Sequence, residues 1–485
     1  MSMNNEHIKT ILQCIEVHEG KHIQYTNIHF DSRKISAQGI FVAMPGTQVD
    51  GHRFIEQAIE NGAACVVCES LPKQLRDEST YLRVKSSHEA LALLASDFYG
   101  NPSSQLKLVG VTGTNGKTTI ASLMYQLMEL SGYKAGLLST VRNYVHNEEI
   151  PSTHTTPDPL QINALMRKML EAGCQYCFME VSSHALDQKR VAGLDFDGAI
   201  FTNLSHDHLD YHKDFQSYLN AKKSLFDKLK AEAFALVNTD DKNAVVMIQN
   251  CKADKKSYSL KRMSDFRLKI EEKHFHGMQL FIDGTEIWTP FLGLYNASNL
   301  LAVYAAARLL GLEKNDMLIN LSKLKSVEGR MESIRSESGI TAIVDYAHTP
   351  DALKNVLETL NEFKLGGESI ISVVGAGGDR DPDKRPEMGK IAALWSNKVV
   401  LTSDNPRTED PEKILDDIEK GIPADKALNV LRVSDRKAAI KVAWSLAKPG
   451  DLILVAGKGH ETYQEINHVK HHFDDREVIR ELIKN

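Results

Sequence analysis

The sequence predicts an α/β protein of several domains, built on largely parallel sheets with helices on both faces. Three observations predict it. From about residue 107 onward, apolar strand-like runs alternate with helical runs, which is the pattern of a parallel sheet. A glycine-bearing turn, GTNGKTT, stands between an apolar strand and a helix, as a phosphate loop does. Finally, several strands in the last third break off abruptly into polar and glycine residues, and open α/β sheets bind ligands at such ends.

The chain has 485 residues, too many for one ordinary core, and this implies roughly two to four domains. Residues 1–104 form the first, with GIFVAMPG as a strand and GHRFIEQAIENGAACVVCE as a helix followed by a strand. The stretch YGNPSSQLK at 99–107 gathers Gly, Asn, Pro and Ser and reads as a linker. Residues 105–330 form a central, doubly wound domain: KLVGVTG, AGLLST, CQYCFMEVSS and DGAIFTNLS as strands, TTIASLMYQLMELSG and LQINALMRKMLEAG as helices. SVEGRMESI marks a second boundary near 330. Residues 331–485 form a Rossmann-like α/β domain with strands in AIVDYAHTP, SIISVVGAGGDRD, KVVLTSDNPR and DLILVAGKGHE. GAGGDRD is no dinucleotide fingerprint, because Arg380 holds the third glycine position.

Hydrophobic content of 42% and charged content of 25% are those of a soluble globular protein. No run approaches a bilayer span and no signal pattern opens the chain, so a cytoplasmic protein without membrane contact is expected. A net charge of −6 argues against nucleic-acid binding through a basic surface. The six cysteines make no disulfide scaffold. The pairs Cys65/Cys68 and Cys174/Cys177 are too far apart in sequence for a zinc ribbon and read as core residues.

GVTGTNGKTTI departs from the usual phosphate-loop spacing, which needs a glycine where Val111 stands. The chemistry survives the shift. Backbone N–H groups around Gly113 and Gly116 can surround phosphate oxygens at a helix N-terminus. Lys117 can reach the terminal phosphates, and the Thr118 hydroxyl can ligate Mg²⁺. ATP binding is expected at Thr112, Gly113, Thr114, Asn115, Gly116, Lys117 and Thr118. Glu180, ending the strand CQYCFMEVSS, is a hard oxygen ligand at a suitable place, unless it is a solvated strand-end carboxylate.

The stretch TGTNGKTT resembles the ATP loop of the Mur ligases and of their folylpolyglutamate synthase cousins. The likeness continues through EVSSHAL, NLSHDHLDYH, YLNAKKSLF, YNASNLLA, EGRMESI, DYAHTPDAL and DNPRTEDP, and so covers almost the whole chain. It implies an ATP-dependent amide ligase of peptidoglycan assembly, acting as a monomer on UDP-N-acetylmuramoyl-L-alanyl-D-glutamate through an acyl phosphate. It implies that His208 helps hold a magnesium ion, whereas His206 and His212 on their own read as packing or capping histidines. Lys222 looks like a solvated helix lysine, but the resemblance implies an N6-carboxylysine that supports the metal. Asn299 is implied near the base, Arg330 at the phosphates and Asp345 at the ribose. By the same resemblance, Thr155, Thr156, Ser182, Gln188 and Arg190 bind the peptide portion, and Ser32 binds the uridine end, with Gln48 less firmly.

The amino acid to be added is argued from charge. Three corners supply Arg380, the run Asp404-Asn405-Pro406-Arg407, and Gly457 with Glu461. meso-Diaminopimelate carries a carboxylate and an ammonium at each end, and an arginine fork such as Arg407 can clamp the distal carboxylate that lysine lacks. DNPR also resembles the diaminopimelate-adding type. The alternatives are the same ligation with L-lysine, another ligase of the superfamily, and a nucleotide-binding scaffold without chemistry.

Overall fold

A computed structural model describes residues 3–21, 23–46, 49–205, 211–274, 277–364 and 366–484. Its three large sheets follow one another along the chain.

The first sheet orders its strands as Cys14–His18, Thr80–Val84, Ala63–Cys68, Gly39–Val42 and Asn27–His29. All pairs are parallel except the Cys14–His18 edge. Cys65 and Cys68 are buried in its core, and burial pushes their thiols up to about 12 and about 11. Cys174 and Cys177 are likewise buried, against the central sheet. The helix Ser87–Phe98 packs on Pro159–Glu171, and the Ser96 hydroxyl donates to Gly193 O at 3.2 Å, joining the first sheet's layer to the second.

The central sheet has eleven strands. Its parallel part runs Phe266–His274, Asp254–Ser259, Phe234–Asn238, Gly198–Phe201, Lys107–Thr112, Tyr176–Glu180, Ala135–Leu138. Antiparallel hairpins extend both edges: Arg142–Val145 with Glu148–Pro151, and Gly277–Ile282 with Thr285–Thr289. Helices Lys117–Leu130 and Leu294–Leu309 bury one face, and Pro159–Glu171 with Phe215–Asp227 bury the other. The sheet is therefore doubly wound, as the alternation of elements predicts. The chain leaves Lys107–Thr112 to build one flank and returns beyond it to build the other, so the crevice lies at the C-terminal end of that strand.

The third sheet orders Glu332–Arg335, Thr341–Asp345, Leu452–Ala456, Ile370–Val374, Lys398–Leu401 and Val430–Arg432, parallel apart from the first. The ends of five parallel strands thus stand side by side. The ribbon Tyr463–Ile466 with Val469–His472 folds back over them. Among the described residues no helix is long and apolar enough to cross a membrane.

Candidate active site

Val111, where the usual loop has glycine, is a core residue within the strand Lys107–Thr112. The turn that follows is shaped by Gly113 and Gly116, with φ of 152° and 87°. A Cβ on Gly113 would lie 1.8 Å from the Thr202 hydroxyl, so no other residue fits there. Gly116 caps the helix Lys117–Leu130 without a side-chain acceptor, which leaves the first N–H groups of that helix for an anion. Lys117 folds back on the turn, donating to Gly113 O at 2.9 Å and to Thr114 O at 2.8 Å.

Lys222 arrives from the helix Phe215–Asp227, which Asp214 caps. It is 1% exposed, donates to Gly113 O at 2.8 Å, and lies 4.6 Å from the centre of the Tyr218 ring. Lys223 instead pairs with Asp227 on its own helix at 2.5 Å. Glu180 is also buried; Oε2 accepts the Thr118 hydroxyl at 2.9 Å and Oε1 the Thr140 N–H at 2.7 Å.

From the third sheet's side come Arg330 and Asp345. Arg330 Nη2 donates to Thr118 Oγ1 at 3.2 Å, and its guanidinium lies 4.5 Å from the Tyr346 ring centre. Among the described residues its buried Nε has no hydrogen-bond partner, and the Tyr295 hydroxyl and Ser183 Oγ are in the same condition. All three residues line one cleft of about 720 Å³. Unmet buried polar atoms are rare, and a set of them around one cleft marks a place for a polar ligand. Asp345 accepts the Met331 N–H at 2.7 Å, and burial raises its pKa against the pull of Arg330.

Thr114, Asn115, Gly116, Lys117, Thr118, Thr155, Thr156, Glu180, Ser182, Arg190, Lys222, Asn299, Arg330, Asp345 and Arg380 all line that cleft. The peptide-side residues form one network. Thr156 donates to Glu180 O at 2.8 Å, and Arg190 donates to Thr156 O at 2.7 Å while Gln188 Oε1 takes its Nε and Nη2. Burial lowers the Arg190 pKa. Ser32 lies away from the cleft on the first sheet's layer, bonded to Gln57 at 2.8 Å. His208, with His206 and Gln48, falls outside the described residues.

Of the residues assigned to the added amino acid, only Arg380 lines the cleft; Asn405 and Glu461 meet in a corner that touches the cleft residue Tyr346. Asn405 Nδ2 donates to Glu461 Oε2 at 2.8 Å, and the Tyr346 hydroxyl donates to Glu461 Oε1 at 3.4 Å. Arg407 adopts a left-handed φ of 51°, donates to Gly378 O at 2.7 Å and pairs with Glu465 at 3.3 Å. Asp404 is buried against Gly457, whose Cβ would lie 2.3 Å from its carboxylate.

Sequence reasoning missed Tyr295, Tyr346 and Asp351. Asp351, on the helix Pro350–Glu362, accepts from Asn115 Nδ2 and from Ser205 Oγ, both at 3.1 Å, and so joins the third unit directly to the loop. A second bridge runs through Glu328, whose Oε2 takes Arg142 at 2.8 Å and Arg476 at 3.2 Å.

Residues 24–99 match the Mur ligase family catalytic domain, 111–307 the Mur ligase middle domain, and 329–459 the Mur ligase glutamate ligase domain. A protein of Parabacteroides distasonis is 56% identical over 460 residues, 95% of each chain. The chain belongs to the Mur ligase family. That relative is named UDP-N-acetylmuramoyl-L-alanyl-D-glutamate--2,6-diaminopimelate ligase, as is one from Bacteroides thetaiotaomicron, 52% identical over 99% of each chain. A solved structure of a ligase with the same name shares the fold at a TM-score of 0.69 and 33% identity, over 100% of this chain and 99% of that one. The Mur ligase MurF of Thermotoga maritima, solved in complex with ADP, shares the fold alone, at 19% identity and a TM-score of 0.62 over 89% of this chain and 93% of that one.

Proposed function

We propose that this chain adds meso-diaminopimelate to the D-glutamate γ-carboxylate of UDP-N-acetylmuramoyl-L-alanyl-D-glutamate, with ATP driving the step in peptidoglycan assembly. The observation that carries the reading is convergence: the phosphate loop, Glu180, Lys222 and Arg330 meet in one cleft spanning two α/β units. The names of relatives at 52–56% identity over nearly the full length agree with it.

An amide does not form from a carboxylate and an ammonium in water without a driving reaction. Here a γ-carboxylate oxygen attacks the γ-phosphorus and the bond to ADP breaks, giving an acyl phosphate. The diaminopimelate amine then attacks the carbonyl carbon, phosphate leaves, and the amine loses a proton. The loop N–H groups, Lys117 and Arg330 bind the triphosphate, with Arg330 Nε free to donate. Asn299 would lie by the base and Asp345 by the ribose. Thr155, Thr156, Ser182, Gln188 and Arg190 hold the peptide in line, and Ser32 the uridine end.

Thr118 and Glu180 present hard oxygens 2.9 Å apart, a donor set that suits Mg²⁺, and with His208 and a carbamylated Lys222 they would hold it. Bound there, it neutralises triphosphate charge. The boundaries of the three units are set at 1–104, 105–330 and 331–485, for the uridine end, ATP and the amino acid respectively. The reaction is placed in the cytoplasm, where ATP is available.

The test is phosphate release with ATP, the muramoyl dipeptide and either diaminopimelate or L-lysine. Release should need both the dipeptide and the amino acid, and should favour diaminopimelate at least about 100-fold in kcat/KM. Lysine turnover equal to that of diaminopimelate would end the specificity claim. ATP binding without turnover on either amino acid would end the ligase claim.

A further inference from the structure

Lys458 follows the strand Leu452–Ala456 and is 0% exposed, among the largest fully buried side chains of the protein. A buried ammonium is costly unless its charge and its N–H groups are answered. Both are answered here by residues of the amino-acid corner. Nζ donates to Asn405 Oδ1 at 3.1 Å and to Glu461 Oε2 at 3.1 Å, and it lies 5.4 Å from the Tyr463 ring centre.

These contacts fix two orientations. Asn405 Oδ1 takes Lys458 and also the Glu465 N–H at 2.9 Å, so its Nδ2 can only face Glu461, to which it donates at 2.8 Å. Glu461 Oε2 is then taken by Lys458 and Asn405 together. Its Oε1 is turned to the Tyr346 hydroxyl at 3.4 Å, and Tyr346 is the wall between this corner and the cleft. The corner thus has one carboxylate oxygen locked by two donors and one bonded to Tyr346, a residue that itself lines the cleft.

We infer that Lys458 is a positioning residue for the diamino acid: its buried ammonium holds Asn405 and Glu461 so that Glu461 Oε1 receives the substrate's distal ammonium. This rests on the proposed ligation. Lys458 itself touches no substrate. It aims Glu461 through the shared bonds to Asn405 and Glu461, while Arg407 takes the carboxylate at the same end.

The experiment crosses two enzymes with two substrates. Wild type and Lys458→Met are assayed for kcat/KM with diaminopimelate and with L-2-aminopimelate, which keeps the reacting amine and both carboxylates but lacks the distal ammonium. The substitution should lower kcat/KM for diaminopimelate at least about 30-fold, mainly through KM, as expected for loss of one partner of a buried charge pair. The aminopimelate value should change less than about threefold, since that substrate offers nothing for Glu461 to hold. KM for ATP should stay the same.

Should Lys458→Met fail to fold, Lys458→Gln carries the same comparison, because it keeps a donor for Asn405 and drops only the charge. Equal losses on both substrates, no loss on either, or failure of both variants to fold would overturn the inference in favour of a structural lysine. A wild-type enzyme inactive with diaminopimelate would instead overturn the ligation reading, so the two failures are distinct.

Discussion

Replacing Thr118 by valine keeps the shape of a buried side chain and removes one hydroxyl. That hydroxyl donates to Glu180 Oε2 at 2.9 Å and accepts from Arg330 Nη2 at 3.2 Å, joining a central strand end to the arginine from the third unit. Both partners are charged, and hydrogen bonds to charged groups contribute about 1.5–3 kcal/mol each. The longer bond to Arg330 counts for less, and Glu180 keeps its bond from the Thr140 N–H at 2.7 Å. A net loss of about 2 kcal/mol of transition-state stabilisation follows, which is about 30-fold in kcat/KM. Phosphate release at saturating dipeptide and diaminopimelate, with ATP varied, measures it. Thr118→Ser, which restores the hydroxyl, should stay within about threefold of wild type. Wild-type kcat/KM in the valine enzyme, or equal losses in both variants, would refute the reasoning.

Other outcomes follow from the same geometry. Gly329 has φ of 63°, and a Cβ there would lie 2.0 Å from His460 N and 2.2 Å from the Gly459 carbonyl carbon. Gly329→Ala should therefore cost more than the about 1–2 kcal/mol of a left-handed residue, lower Tm, and raise KM for ATP as Arg330 shifts. Burial, with Arg330 and Arg476 nearby, lowers the His460 pKa from 6.5 to about 3. The unfolded chain then binds a proton that the folded one refuses, so stability falls as pH drops from about 6.5 toward 3, by at most about 1.4 kcal/mol per pH unit. Urea titrations of wild type and His460→Gln across that window should show the flatter slope in the variant; parallel slopes would count against the assignment. Lys222→Ala should abolish ligation, with partial recovery in high bicarbonate or chloride, and full activity without additives would rule out its metal-supporting role.

Much of this was legible in the sequence because the informative signals are local. A strand, a glycine turn and Gly-Lys-Thr define the phosphate loop within ten residues, and the structure explains the misplaced glycine: position 111 lies inside the strand, buried in the core. The parallel strands were readable as apolar runs ending in polar corners. The edge hairpin Gly277–Ile282 with Thr285–Thr289 was overlooked although Asp283-Gly284, with φ of 48° and 81°, is a readable hairpin turn.

Arg330 and Asp345 were read from the resemblance, but three other residues that act across units were not legible. Tyr295 and Tyr346 look like ordinary core aromatics, and only their places beside Arg330 and Asp345 show otherwise. Asp351 reads as a first-turn helix acid, and its bond to Asn115 spans 236 positions in sequence. Lys458 between two glycines suggests a solvated loop lysine, yet it is buried, because the carboxylate that compensates it is set by the same turn.

The bridge at Glu328 has a mechanical consequence. Arg142 on the central sheet and Arg476 on the helix Asp475–Lys484 grip the same oxygen, immediately before Gly329. Turning the third unit about that point preserves both grips, whereas sliding it along the cleft must break one. The geometry therefore favours rotation around a charged pivot, and spin-label distances taken near to and far from Glu328, with and without nucleotide, should change by amounts that grow with their separation from it.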